Sequence, residues 1–159
     1  MVRIGVTGHM NITEATAPKV YDAVRELLAA HDPAEVVGVS CIARGADSVF
    51  ARAVLDAGAR LEVVLPSRDY RAAKVKPDHA EVFDELIRRA IEVRVMDFDT
   101  ADREAYEAAN DTVLGNVDRL VAVWDGQTGQ AGGTASVIEL ARERGVPVDV
   151  VWPEGASRA

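Results

Sequence analysis

The chain has 159 residues, with 18 Lys and Arg against 26 Asp and Glu, a formal net charge of −8 at pH 7 and one cysteine. This length fits a single domain over residues 1–159 that buries its own apolar core, and one cysteine excludes an intrachain disulfide. The acidic balance argues against nucleic acid as a partner, because nucleic-acid binding depends on Lys and Arg contacts to phosphates.

The opening residues run directly into an apolar segment, without the basic and then apolar regions of a signal peptide. No apolar run reaches the ~18 residues that span a bilayer. With a lone cysteine, these features predict a cytoplasmic protein with no membrane partner.

Predicted strands and helices alternate along the whole chain. The strands fall near residues 2–7, 35–40, 60–65, 91–96, 118–124 and 147–152. The helices fall near residues 17–30, 46–57, 78–90, 102–115 and 134–144. Near-continuous Val, Ile and Leu strands are typical of a parallel sheet with helices on both faces. We therefore predict an α/β fold: a Rossmann-like, doubly wound, mostly parallel sheet of about six strands.

Two segments depart from this regular pattern. The fourth strand, residues 91–95, alternates apolar and charged residues, which predicts a half-exposed strand at the sheet edge. Residues 154–159 are polar and follow the last strand, so we expect a loose tail there.

Ligands of open parallel sheets bind outside the carboxyl ends of the strands, so the loops after the strands are the site candidates. After the first strand, Gly8 permits a tight turn and a close ligand approach, while Thr7 and His9 offer hydrogen bonds. The loop lacks the three-glycine dinucleotide fingerprint. A plain turn without a ligand is the alternative.

The loop after the second strand contains Arg44 and Gly45, followed by Asp47 or Ser48 as the predicted cap of the second helix. Arg44 is positioned to hold a phosphate or carboxylate through two hydrogen bonds. Alternatively, Arg44 pairs with a neighbouring acid and only fixes the loop. Cys41 is better explained as a small buried residue than as a nucleophile.

The loop after the fifth strand is rich in glycine and opens the last helix. Asp125 begins it, and its glycines are Gly126, Gly129, Gly132 and Gly133. Exposed backbone N–H groups and the helix dipole predict a phosphate cradle, with the Thr134 hydroxyl at the cap position. No Walker Gly-Lys-Thr/Ser sequence follows. A glycine-rich connection without a ligand is the alternative.

Two charged segments admit similar alternatives. Residues 67–77 are locally basic and are either a solvated loop or a lid over phosphates, with Tyr70 stacking on a base. Residues 97–111 are acidic but lack calcium-loop spacing, so a solvated helix start is preferred to a metal site. We predict no metal, and the sequence identifies no cofactor.

Residues 40–47, Ser-Cys-Ile-Ala-Arg-Gly-Ala-Asp, resemble the Ser-Gly-Leu-Ala-Arg-Gly-Ile-Asp motif of Smf-type DNA-processing proteins in the SLOG superfamily. The LOG-type phosphoribohydrolases of that superfamily carry a Gly-Gly-x-Gly-Thr loop, with a glutamate three residues after the threonine. Gly132, Gly133 and Thr134 match this loop, but Val137 occupies the glutamate position. Glu139 lies two residues further on, ~200° around the helix.

The resemblance implies a SLOG-type protein that binds a nucleotide or phosphoribosyl ligand, with no activity assigned. In this hypothesis residues 132–134 bind the phosphate, residues 7–9 close the other side of the ligand site, and Arg44 orients the ligand or the Gly45 loop. The alternative is an N-glycosidic hydrolase or transferase resembling nucleoside monophosphate phosphoribohydrolases, with Asp125 or Asp47 as its carboxylate. An interaction protein, with a homo-oligomer as its simplest form, is the third hypothesis.

Overall fold

The computed structural model describes residues 1–128 and 133–159. Its strands are β1 (Val2–Gly8), β2 (Val36–Ser40), β3 (Arg60–Leu65), β4 (Glu92–Val95), β5 (Arg119–Val123) and β6 (Val148–Val151). They form one sheet of six parallel strands in the order β4-β3-β2-β1-β5-β6. The predicted Rossmann-like parallel sheet is confirmed.

Helices cover both faces of this sheet. They are α1 (Thr16–Leu28), α2 (Ala46–Asp56), α3 (Tyr70–Lys74), α4 (Pro77–Arg89), α5 (Arg103–Gly115) and α6 (Thr134–Glu143). In α1, Val20, Val24 and Leu28 recur every four residues and are buried, so one apolar stripe faces the sheet. The cluster built on α1, α2 and α4 includes Phe50. Separate clusters lie beneath α5 and α6 on the opposite face, as a doubly wound sheet requires.

The basic segment 67–77 contains a helix that the sequence did not reveal. Tyr70, the first residue of α3, is buried and packs against Phe83 and Tyr106, with ring centroids 6.1 and 6.3 Å away. The hypothesis that Tyr70 stacks on a base is therefore wrong. Arg68 forms ion pairs with the carboxylates of Asp97 and Asp99. Much of the local positive charge is thus balanced within the protein.

The C-terminal residues are docked, so the expectation of a loose tail is wrong. The backbone N–H of Ala159 donates to the Asn11 carbonyl at 2.7 Å, and that of Thr13 donates to the Ser157 carbonyl at 3.1 Å. The fully buried Thr16 accepts the Ser157 N–H through Oγ1 at 2.9 Å. These partners lie more than 140 residues away in sequence, and local composition carries no signal of such pairing.

Replacing Thr16 by valine tests this docking. The change keeps the shape of the side chain but removes the hydroxyl that accepts the Ser157 N–H, so we expect a loss of ~1–3 kcal/mol in unfolding free energy. Amide exchange at residues 157–159 should also become faster. Ser157→Ala is the control, because it keeps the backbone N–H and carbonyl of Ser157 that bond to Thr13 and Thr16. Unchanged exchange in Thr16→Val would show that the hydroxyl does not hold the tail.

Within residues 1–128 and 133–159, no helix is both long and apolar enough to cross a membrane.

Candidate functional site

The strand order changes direction between β1 and β5. From β1 the chain builds the sheet toward β4 on one side, while β5 and β6 lie on the other. Gly8 at the end of β1 pairs in register with Val123 at the end of β5. The loops after these two strands therefore begin side by side. This position is the topological switch point, where ligands of open α/β sheets bind.

Close backbone packing joins the loop after β1 to the start of α2. The N–H of Ala46 donates to the His9 carbonyl at 3.2 Å. Gly45 has φ +81°, and a Cβ there would lie 2.5 Å from the Met10 carbonyl oxygen. A Cβ on Gly8 would lie 2.5 Å from the Ala46 Cβ. Both glycines are therefore needed for this approach, which brings two of the predicted site loops together.

His9 links the same loop to the residues after β5. The buried ring accepts the backbone N–H of Asp125 at Nε2 (3.1 Å), and the His9 N–H donates to the Val123 carbonyl at 3.2 Å. The ring meets Trp152 edge-on, with centroids 5.8 Å apart. Burial, followed by the nearby Arg158 charge, lowers the pKa of His9 and favours the neutral, accepting ring. His9 thus connects the tips of the two strands.

Asp125 places a largely covered carboxylate at the switch point. Its Oδ1 accepts the backbone N–H of Gln127 at 3.0 Å, and its Oδ2 lies 3.4 Å from Arg158 Nη1. The Gln127 bond, with the bond from Arg158, lowers the pKa of Asp125 against the effect of burial. The group is therefore an ionised acceptor. Such an acceptor suits a sugar hydroxyl and repels a phosphate.

Arg158 is a site residue that sequence reasoning missed. Besides its contact with Asp125, its Nε donates to Asn11 Oδ1 at 2.9 Å, so the docked tail carries a cation to the switch point. In the sequence, Arg158 is one basic residue among polar neighbours, and only the pairing of the tail with residues 11–16 reveals its position.

The start of α6 is described from Gly133 onward, so Gly129 and Gly132 of the predicted cradle lie outside the described residues. Gly133 is the cap residue, in extended conformation and without a side-chain cap bond, and Thr134 is the first helical residue. The prediction that Thr134 caps the helix is therefore wrong. Gly126 has φ +83°, and no atom of the described residues lies within 4 Å of the position that a Cβ would take there.

Further along α6, Val137 and Glu139 differ from the LOG-type pattern in the way that the sequence predicted. Val137 is buried in the core, and Glu139 is exposed. No carboxylate therefore stands one turn after Thr134, where the LOG-type pattern has its glutamate.

The residues after β2 make contacts that differ from the ligand-binding and helix-capping roles predicted for them. Arg44 forms an ion pair with Asp78 of α4, which is the alternative in which the arginine fixes the loop. Gly45, not Asp47 or Ser48, is the cap residue of α2. Ser48 Oγ instead donates to the Ala43 carbonyl at 2.7 Å. The capping prediction fails because the strained Gly45 backbone already turns the chain into the helix.

Two acidic groups beside this loop, Cys41 and Asp47 of α2, have raised pKa values. Burial raises the pKa of Asp47 to about 7, although its carboxyl accepts the backbone N–H of Ala43. Burial also raises the pKa of the Cys41 thiol. The thiol therefore stays protonated at neutral pH, in agreement with the prediction that Cys41 is not a nucleophile.

This chain shares its Rossmann-like fold with DNA-processing proteins, the group whose motif residues 40–47 resemble. DNA processing protein A (DprA) from Streptococcus pneumoniae superposes with a TM-score of 0.71 at 17% identity, covering 98% of this chain and 52% of that one. DprA from Helicobacter pylori gives 0.70 at 19% identity, covering 99% and 68%. The Chlamydomonas molybdenum-cofactor (Moco) carrier protein gives 0.55 at 16% identity, covering 94% and 74%.

The likeness has clear limits. This chain spans about half the length of the pneumococcal protein (52%). No family model and no curated protein matches the sequence.

The comparisons correct one prediction. We expected the net charge of −8 to argue against nucleic acid as a partner. The Helicobacter pylori protein, which shares this fold, binds single-stranded DNA. Net charge was a poor guide because it averages over the whole surface, whereas phosphates are bound by local donors.

Proposed function

We propose that this protein binds a nucleotide-like ligand at the switch point, with the phosphate at the start of α6 and the sugar beside Asp125. The observation that carries the proposal is the convergence of the loops after β1, β2 and β5. Hydrogen bonds of His9 to Ala46, Val123 and Asp125 join these loops. A ligand at this edge would contact groups from all three loops.

The groups at this edge suit two different parts of a nucleotide. The first turn of an α-helix presents backbone N–H groups and a partial positive charge, which together bind phosphate. The ionised Asp125 is an acceptor for hydrogen bonds from sugar hydroxyls. The positive charge of Arg158, beside Asp125, partly offsets the repulsion between the Asp125 carboxylate and a phosphate.

The proposal includes no bond cleavage. The LOG-type pattern needs a carboxylate where this chain has the buried Val137. Asp125 and Asp47 remain the candidate carboxylates of the hydrolase alternative. Incubation with nucleoside monophosphates, followed by chromatography for free base, tests that alternative directly.

Single-stranded DNA is the second candidate ligand, favoured by the DprA fold and by the DNA binding of the Helicobacter pylori protein. It offers the same phosphate and sugar groups as a free nucleotide. We therefore place both ligands in one experiment, on the full chain.

The test is a thermal-shift series with nucleosides, nucleoside monophosphates, phosphoribosyl compounds and a short oligothymidylate. A ligand at 100 times its dissociation constant should stabilise the protein by ~2.7 kcal/mol. We expect shifts only with phosphate-bearing compounds. Equal shifts with nucleosides would contradict the role of the phosphate, and no shift in ligand-free protein would contradict the proposal.

A pair of variants at Thr134 locates the phosphate. Proline is tolerated at the first position of a helix, and the extended Gly133 before it (φ −81°, ψ −173°) suits a following proline. Thr134→Pro therefore removes one N–H donor while preserving α6, and we expect affinity to fall ~10-fold or more. Thr134→Ala, the control, removes only the hydroxyl. Equal losses in the two variants would contradict binding through the N–H group.

A further inference from the structure

Strand β4 is an edge strand of the sheet, and its outer edge has no partner strand among the described residues. In the described part of the chain it pairs only with β3, and all four of its residues are exposed. Three large apolar side chains of residues 91–95 are also exposed: Ile91 at 55%, Val93 at 37% and Val95 at 45%. An uncovered apolar edge strand is a template for pairing with another strand.

The sequence of this edge is self-complementary when read in the antiparallel direction. With Val93 opposite Val93 of a second strand, Glu92 faces Arg94 and Ile91 faces Val95. Both charged pairs then join opposite charges, and every apolar residue meets an apolar residue. Directly opposed side chains in an antiparallel pair have Cβ atoms ~5 Å apart, within reach of these contacts.

We propose that β4 pairs antiparallel with the β4 strand of a second copy of this chain, centred on Val93. A two-fold axis perpendicular to the sheet requires this antiparallel arrangement and makes the two halves of the contact identical. The two six-stranded sheets would then continue into one another across the interface.

The charged pattern also selects the register. Moving the two-fold axis by one residue places Glu92 opposite Glu92, or Arg94 opposite Arg94, and like charges directly opposed destabilise a pair. The same shift also leaves Val95 opposite Arg89, or Ile91 opposite Asp97, so one apolar residue of the edge loses its apolar partner. Only the register centred on Val93 satisfies both patterns.

The rest of the subunit supports the pairing of Glu92. Glu92 and Arg94 line a groove on the α5 side of the sheet, with Thr112 of α5 and Asn116, the residue directly after α5. Within its own subunit, Glu92 stands in register with Glu62, another acid, whose carboxylate is already bound by Arg3 at 2.5 and 3.0 Å. Arg94 of a second copy would supply the cation that directly opposes Glu92 across the new interface.

The interface is short, so we expect a reversible dimer that depends on concentration. Five residues on each side place this contact at the low end of specific interfaces, below ~1,200 Å² in total. Sedimentation velocity or light scattering on the full chain, over a wide range of concentrations, measures the equilibrium. A wild-type protein that stays monomeric throughout overturns the proposal.

Charge reversal at β4 gives the decisive test. Arg94→Glu opposes Glu92 with glutamate, and Glu92→Arg opposes Arg94 with arginine. Each single change should raise the dimer dissociation constant ~10- to 100-fold. The double variant Glu92→Arg/Arg94→Glu restores both opposite pairs and should dimerise like the wild type. Arg52→Glu, on the exposed side of α2, makes the same charge change away from this edge and should leave the dimer intact.

Mixing the two single variants tests whether opposite charges across the two β4 strands hold the dimer together. One strand then carries arginine at 92 and 94 and the other carries glutamate at both, so every charged pair is opposite. We expect two monomeric proteins to form a one-to-one heterodimer. Circular dichroism of each variant checks that it is folded. Folded single variants that dimerise like the wild type, or a mixture that stays monomeric, overturn the proposed pairing.

Discussion

Replacing Gly45 by alanine should lower the free energy of unfolding by about 3 kcal/mol or more. Two costs add at this position. The backbone has φ +81° and ψ −127°, a conformation that a residue with a Cβ rarely adopts. The new Cβ would also lie 2.5 Å from the Met10 carbonyl oxygen and 2.7 Å from that of His9. Both contacts are with backbone atoms, so relief requires moving the loop after β1 away from α2.

Gly145→Ala is the matched control, measured by the same denaturant titration. Gly145 has φ +73°, but a Cβ there meets no atom of residues 1–128 or 133–159 within 4 Å, so the backbone cost of ~1–2 kcal/mol is what remains. The difference between the two variants isolates the close approach of the two loops. Equal losses at Gly45 and Gly145 would show that the loops can separate freely, and would weaken the case for a preformed site.

The sheet was predictable from the sequence because each strand carries its own local pattern. The apolar runs at residues 36–40 and 119–123 already imply burial on both faces. Helix α3 was not predictable, because its five residues include Arg71 and Lys74 and present no apolar stripe. Tertiary packing of Tyr70 on Phe83 and Tyr106 stabilises this short helix, and such contacts are not visible in the local sequence.

The candidate site was predictable in its location but not in its contacts. Gly8, Gly45 and Asp125 follow strands, and strand ends are where a parallel sheet gathers its loops. The partner of each side chain depends on elements distant in sequence. Arg44 pairs with Asp78, 34 residues away, and Arg158 reaches Asp125, 33 residues away. A local motif cannot supply such pairings, which arise only when helices and tail are packed.

Asp47→Asn should stabilise the protein at pH 8 by between about 2 and 4 kcal/mol, with a smaller gain at pH 5. The physical reason is the burial that raises the pKa of Asp47 to about 7, well above the ordinary aspartate value of 3.8. Between these values the unfolded chain has released the proton while the folded chain still holds it. The free energy of unfolding therefore falls as the pH rises from about 4 to about 7.

Asparagine removes this cost because it is neutral at every pH, and its side-chain oxygen can still accept the backbone N–H of Ala43 that Asp47 accepts. Urea titrations of both proteins at pH 5 and pH 8 measure the effect, and Asp22→Asn on the exposed side of α1 serves as the control. A gain that is the same at both pH values would mean that the Asp47 carboxyl is ionised in the folded protein throughout. In that case the start of α2 already tolerates the charge beside the candidate site.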